Sequence, residues 1–328
     1  MKLSLYKGWR GALPWAISAC LLAYVFGWAT DWERLRAATE DANLPFFVFF
    51  VAADRLAFFV IWTALWAAAL RRVVSHVPVR SVFAIRGGSE LARVVSNPLS
   101  DAAFFLGLVQ LAGGQIETVL TAALIPVVGH FVVMLVQMTV ATPFLPGGIA
   151  SNLGVVAAVV ALWILVGAGA IGVWLFRTGR LTFRGAATMA AWMDRFPPRE
   201  LAIFVWGFAA LAVFDVQIQW LASRAFGVPI DWISLAARIP LVYLCFSIPT
   251  LGNFGTRELA WAHLFADFGP RDALIAYAFA VNALFFVFNV VIGVFFLPRA
   301  LELISAVRRA RREGERVPRP LLHDPTDQ

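Results

Sequence analysis

The chain has 328 residues, 61% of them hydrophobic and only 14% charged, with a formal net charge of +7. A soluble domain is about 45–50% apolar and about 25% charged, so a water-soluble enzyme or binding module is excluded and an all-α, multi-pass integral membrane protein is expected. With a mean hydropathy of +0.78, no segment is large and polar enough to form a separate soluble domain.

A spanning helix needs about 20 apolar residues. Runs of that length occupy 11–30, 44–70, 118–142, 153–176, 200–226 and 271–297, with shorter ones at 102–113, 233–251 and 259–268. The first follows Lys2, Lys7 and Arg10, and Ile17-Ser18-Ala19-Cys20 resembles a lipoprotein cleavage site. The apolar stretch nevertheless continues from Leu21 to Ala29, as an anchored helix does and a cleaved leader does not. Cys20 and Cys245 both lie in apolar runs without metal-ligand spacing, so they read as packing residues.

Cytoplasmic loops near helix ends collect Lys and Arg. The N-terminus, the segments 71–93 and 177–199, and the tail after Arg299 are basic, whereas the loop 31–43 carries Asp31, Glu33, Glu40 and Asp41 against Arg34 and Arg36. Both termini are therefore expected in the cytoplasm and the loop 31–43 outside, in a cell (inner) membrane. An even number of crossings must then separate one basic segment from the next. The run 102–113 is the short member of its set, and 259–268 is too short to cross alone, which makes it the return arm of a hairpin begun by 233–251. The count gives six to eight transmembrane helices, six of them full spans, with two re-entrant broken hairpins entering from opposite sides. The polytopic membrane domain is placed at 1–298. A basic cytoplasmic tail follows at 299–328, disordered from Pro318 to Gln328.

Two short stretches in the hairpin regions share G-x-x-E-L-A: Gly87 to Ala92 and Gly255 to Ala260. With the opposite sides of approach, they suggest an inverted repeat, a plan in which broken helices meet near the midplane to form a substrate site. The interruption at 142–152, TPFLPGGIASN, reads as a turn between spanning helices, with another half-helix break as the alternative.

The second stretch carries most of the chemistry. Pro249, Gly252, Asn253, Gly255 and the pair Arg257-Glu258 break an apolar run that resumes at once. Prolines, glycines and charges survive at membrane depth where they face protein or a watery cavity. A helix starting near Thr256 would aim free N–H groups and a positive dipole end at the break, and Gly252 and Gly255 let a ligand approach the backbone. Such a site favours anions, phosphate above all, and Arg257 adds a planar fork suited to phosphate oxygens. Glu258 suits the first helical turn and could orient Arg257 or accept a ligand proton. The competing reading is that Arg257 and Glu258 cap the helix at headgroup level.

Other polar residues inside apolar runs are Asp54-Arg55 in the second run and Asp215 in the fifth, and an unpaired charge there costs about 2.5–3.5 kcal/mol on insertion scales. Asp54, Arg55, Asp215 and Arg238 are therefore expected to pair across helices. His130, Gln137, His263, Asn282 and Asn289 read as ordinary interhelical hydrogen bonders.

Catalytic and metal signatures are missing. His263 and Asp267 are one residue too close for an H-x4-D acyl-transfer pair, and there is no H-E-x-x-H, G-x-S-x-G or Walker A loop. No catalytic residue, metal site or cofactor is assigned, and the chain is not expected to be an enzyme.

The stretch 245–297, with I-P-T-L-G-N-F-G-T-R-E-L, Phe268-Gly269, Ala273 to Ala278 and an apolar helix around Gly293, resembles the C-terminal signature of the lysylphosphatidylglycerol synthetase transmembrane-region family, also called flippase-like domain proteins. Pro249, Gly252, Gly255, Arg257 and Glu258 carry the resemblance. Arg86 to Arg93 is similar to a first-half element of that family but lacks its proline and has Ser89 between Gly and Glu. The resemblance implies a protein that moves or handles lipids with anionic headgroups, such as aminoacylated phosphatidylglycerol or polyprenyl-phosphate-linked sugars. A soluble aminoacyl-transferase domain is not expected in the short tail.

The expected function is thus a flippase-like lipid transporter binding a headgroup phosphate through Gly252, Asn253, Gly255, Thr256, Arg257 and Glu258, with Glu90, Arg93, Asp54, Arg55 and Asp215 as further site residues. The alternative is a membrane-embedded transferase or hydrolase acting on a lipid-linked substrate. The partners are membrane lipids with anionic headgroups and no nucleic acid, and a homo-oligomer is admissible.

Overall fold

The computed structural model describes residues 42–74, 77–178, 198–246 and 254–312, together with the single positions Glu33, Glu40, Arg180, Ile248 and Thr250. The apolar run 11–30, most of the loop 31–43, the basic stretch 181–197 and the tail beyond 312 lie outside the described residues, as do the expectations placed on them.

Every regular element among the described residues is helical. Helix α1 spans Leu44–Val73 and contains a π turn at Phe58–Trp62. It is followed by α2, Val79–Arg93, and α3, Asn97–Leu111. Then come α4, Ile116–Ala141, and α5, Leu153–Arg177. The interruption between them is the expected turn: a 3₁₀ turn at Thr142–Phe144, left-handed Gly147 and Gly148 (φ 77° and 71°), and Asn152 Nδ2 donating to the carbonyls of Pro146 and Gly148, both at 2.9 Å. Helix α6 is Pro198–Ala225 and α7 is Trp232–Cys245, started by Asp231, whose Oδ1 accepts the Ser234 N–H at 2.9 Å. Helix α8, Thr256–Leu264, and α9, Arg271–Arg312, complete the order.

Five of these helices are long and apolar enough to cross a membrane: α1, α4, α5, α6 and α9. In α5 only 11% of the residues in its most apolar stretch are buried, and Trp206 of α6 and Phe295 of α9 are 75% and 76% exposed. Apolar surface on that scale has hydrocarbon as its natural solvent, and the chain is an all-α, multi-pass membrane protein. Helices α2 and α3, at 15 residues each, reach about 22 Å, short of the roughly 30 Å hydrocarbon core. Helices α7 and α8 are shorter still. The tail boundary drawn at 298 falls inside a helix, because α9 passes Pro298 without a break and continues to Arg312.

The chain divides into two compact units. The first comprises Met1–Leu56, Ala84–Leu106 and Val216–Leu301. In it, α9 packs closely on α2 through glycines. A Cβ on Gly87 would lie 2.3 Å from the Phe296 ring, one on Gly88 2.8 Å from Ala300, and one on Gly293 2.4 Å from the Leu91 side chain and 2.8 Å from its backbone nitrogen. Phe47 of α1 meets the rings of Phe226 and Tyr277 at 5.0 and 5.9 Å.

The second unit comprises Ala57–Phe83, Gly107–Asp215 and Glu302–Gln328. Ala69, Ile125, Val133, Phe204 and Phe208 form a buried cluster that joins α1, α4 and α6. His130 stands edge-on to Trp62 at 4.7 Å and 5.7 Å from Phe208, so it serves as an aromatic core residue there.

Candidate functional site

All but three of the residues expected at the site fall in the first unit and among its described residues. Arg55, near the middle of α1, donates through Nη2 to Glu90 of α2, and its Nε and Nη2 donate to Asn289 Oδ1 of α9 at 3.0 and 2.6 Å. Glu90 is 1% exposed and also receives Arg86 Nε at 3.2 Å and Arg93 Nε at 2.9 Å. Arg86 and Arg93 reach Asp101 of α3 at 3.1 and 3.3 Å, tying the two short helices together. Burial raises the Glu90 carboxyl, but Arg93, Arg55 and Arg86 overrule it and hold the group at about 2. It is therefore a carboxylate surrounded by three guanidiniums.

The second group begins where the sequence placed it. Helix α8 starts at Thr256, and Gly255 precedes it at φ 87°, a conformation that glycine adopts without strain. The helix start is not wholly open, because Glu258 Oε2 accepts the Gly255 N–H at 2.6 Å, the carboxylate half of a capping box. Glu258 thus caps its own helix through Oε2. Thr256 Oγ1 lies 3.1 Å from Thr250 Oγ1, closing the break across its ends. Gly252 and Asn253 lie outside the described residues.

Arg257 is 1% exposed. Its guanidinium carbon sits 4.8 Å from the Phe246 ring and 4.6 Å from the Phe285 ring, and its Nε has no hydrogen-bond partner among the described residues. Burial lowers its proton affinity, while Tyr243, Glu258, Tyr277 and Asp54 act in the opposite direction. Glu258 is 0% exposed, and its Oε1 makes no close hydrogen bond among the described residues. Burial raises its carboxyl, against the hydrogen-bonding amides of Glu258 and Gly255, the charge of Arg257 and a longer side-chain hydrogen bond from Asn282. Trp261, one turn after Arg257, stacks on Phe265 at 4.4 Å and stands edge-on to Tyr277 at 4.9 Å.

The two groups meet on α9. Asn282, Phe285 and Asn289 follow one another at helical spacing of three and four, so they share one face. Asn282 neighbours Glu258, Asn289 binds Arg55, and the Phe285 ring lies 5.7 Å from the Arg55 guanidinium as well as beside Arg257. The helical spacing N-x-x-F-x-x-x-N was the available signal for this stripe. Phe285 itself is one of 29 phenylalanines and carries no local mark.

Of the remaining expected residues, Asp54 is buried and acts on Arg257, whereas Asp215 is buried in α6 as part of the other unit. Arg238 pairs within the α7–α8 hairpin, donating to the Leu264 carbonyl and to Asp267 Oδ2, both at 2.7 Å. The two G-x-x-E-L-A copies differ in local structure. Gly87 and Gly88 lie inside α2 against α9, whereas Gly255 precedes a helix. Among the described residues no group of three or more His, Cys, Asp or Glu is placed to hold a metal ion. Compared with protein-family models, with curated proteins and with solved structures, the chain matches none.

Proposed function

We propose that the chain is a flippase-like membrane transporter that binds the anionic, phosphate-bearing headgroup of a lipid at Arg257. The observation that carries this reading is a guanidinium buried between two aromatic faces, one residue into a helix that interrupts an apolar stretch, with an N–H that no described group accepts. A buried donor without an acceptor costs about 1–3 kcal/mol, more when charged, and a phosphate oxygen would remove that cost. The helix start adds a partial positive charge in the same direction. The resemblance at Gly255, Arg257 and Glu258 to the flippase-like domain family points the same way.

In this reading α2 with α3, and α7 with α8, are the two re-entrant hairpins, entering from opposite leaflets, with both termini in the cytoplasm of a bacterial-type inner membrane. The short lengths of these four helices support it, as does the α9 face that touches Glu90's partner Arg55 and also Arg257.

The test is translocation of a fluorescent anionic phospholipid in proteoliposomes. Arg257→Ala is expected to abolish transport, and Arg257→Lys to retain part of it, since Lys keeps the charge but loses the fork. Transport unchanged by Arg257→Ala in a folded protein overturns the assignment. Cysteine accessibility that placed 250–258 and 85–93 on the same side would overturn the hairpin arrangement.

A further inference from the structure

The Glu258 carboxylate has a half-filled environment. Its Oε2 is fixed by the Gly255 N–H at 2.6 Å, while buried Oε1 makes no close hydrogen bond among the described residues. Asn282 of α9 is the side-chain hydrogen-bonding neighbour of this carboxylate, and its buried Nδ2 makes no close hydrogen bond to any described group. A carboxamide can present either its NH2 to a carboxylate or, turned over, its oxygen to a carboxylic acid. The neighbour of Oε1 is therefore able to serve both protonation states of Glu258.

The charges around the pair set the sign of the coupling. Arg257 is the cation beside Glu258 on the same helix, and Tyr243 from α7, Tyr277 from α9 and Asp54 from α1 act on Arg257 in turn. Arg55 reaches the same Phe285 ring, 5.7 Å from its centroid. An anion arriving at Arg257 takes a share of its positive field and repels the Glu258 carboxylate at close range. A like charge nearby raises the proton affinity of a carboxylate. Burial already works in that direction at Glu258.

We infer that Glu258 Oε1 is a proton-binding site coupled to Arg257, so that an anionic headgroup and a proton occupy the site together. The step is an acid–base one. A proton supplied by water adds to an Oε1 lone pair, the carboxylate becomes a neutral acid that donates to Asn282 Oδ1, and the proton returns to water when the headgroup leaves. The linkage is reciprocal, since whatever the bound anion does to proton affinity, the bound proton does to anion affinity. This inference rests on the reading of Arg257 as the headgroup site.

Two measurements on the purified full-length protein test it. The first is infrared difference spectroscopy of wild type against Glu258→Gln, titrated from about pH 5 to about pH 9 with and without short-chain phosphatidylglycerol, whose phosphodiester keeps its charge over that range. Gln is accepted at this position of a capping box, so the helix start is retained. The carbonyl stretch of a protonated acid, absent from the variant, should titrate in wild type and persist to higher pH when lipid is bound.

The second is the affinity for the same lipid across that range. Wild-type affinity should fall by up to about tenfold per pH unit once Glu258 ionises. Glu258→Gln should bind at the wild-type low-pH affinity throughout, and Arg257→Ala should not bind. A wild type that shows no Gln-sensitive acid band, or an affinity that ignores pH, or a Glu258→Gln variant that keeps the pH dependence, overturns the coupling alone. A lipid that wild type does not bind at any pH overturns the headgroup reading and the coupling with it.

Discussion

Arg55 and Arg257 meet the ring of one residue, Phe285, with guanidinium carbons 5.7 and 4.6 Å from its centroid. One arginine belongs to the Glu90 cluster and the other to the start of α8, so a single phenyl ring touches both groups of charges. A desolvated cation–π contact is worth about 2 kcal/mol. Phe285→Leu keeps the apolar volume and removes the quadrupole. In reversible SDS unfolding, the cycle Phe285→Leu with Arg257→Met is expected to show a coupling of about 1–2 kcal/mol, and a zero coupling would mean the ring is mere packing.

Glu90 is the carboxylate shared by three arginines that cannot lose their protons under ordinary conditions. Removing one partner of a buried ion pair costs about 3–5 kcal/mol because the other charge is stranded. Glu90→Ala is therefore expected to lower the thermal stability in detergent more than any single replacement of Arg86 or Arg93, each of which leaves the carboxylate two other partners. Equal losses from all three would contradict a central carboxylate.

The glycines of the α2–α9 contact make a third expectation. Gly293→Ala places a methyl 2.8 Å from the Leu91 backbone nitrogen, which no side-chain rotation relieves, whereas Gly169 and Gly172 of α5 have nothing within 4 Å of a Cβ. Overpacking of this kind costs about 1–3 kcal/mol. Detergent melts should show Gly293→Ala clearly destabilised and Gly169→Ala unchanged or slightly stabilised, because alanine is the better helix former.

Arg238 supplies the fourth. Its two bonds at 2.7 Å join α7 to the end of α8, and its guanidinium lies 5.9 and 5.5 Å from the Phe265 and Phe268 rings. Arg238→Ala should raise hydrogen exchange across 256–264 while leaving 79–93 protected. Uniform loss of protection across both segments would show that the contact holds more than this hairpin.

Much of this architecture can be read from the amino acids, because apolar runs have a physical length requirement and the break before Thr256 is written in glycine, proline and charge. The α8 start, the turn at 142–152 and the fact that buried Arg55 and Arg238 are paired follow from that logic. The α9 stripe does not. Asn289 looked like one more interhelical hydrogen bonder, and nothing local distinguishes its partner, since which side chains meet depends on how helices distant in sequence are rotated. Arg86 was legible as a topology signal and as the edge of the Arg86 to Arg93 element, but not as a partner of Glu90, on which it is buried. The shared G-x-x-E-L-A hexamer misled in the opposite direction, because the same letters fill a mid-helix packing contact in one place and a helix start in the other.

The glycine contact between α2 and α9 has a mechanical consequence. With backbone pressed against side chains at Gly87, Gly88 and Gly293, neither helix can slide or roll past the other without collision, so the two form a fixed frame. Helix α8 is held to α9 by side chains instead, with Arg257 on the Phe285 ring at 4.6 Å and Trp261 edge-on to Tyr277 at 4.9 Å. Any rearrangement within this unit would therefore carry α2 and α9 along as one piece.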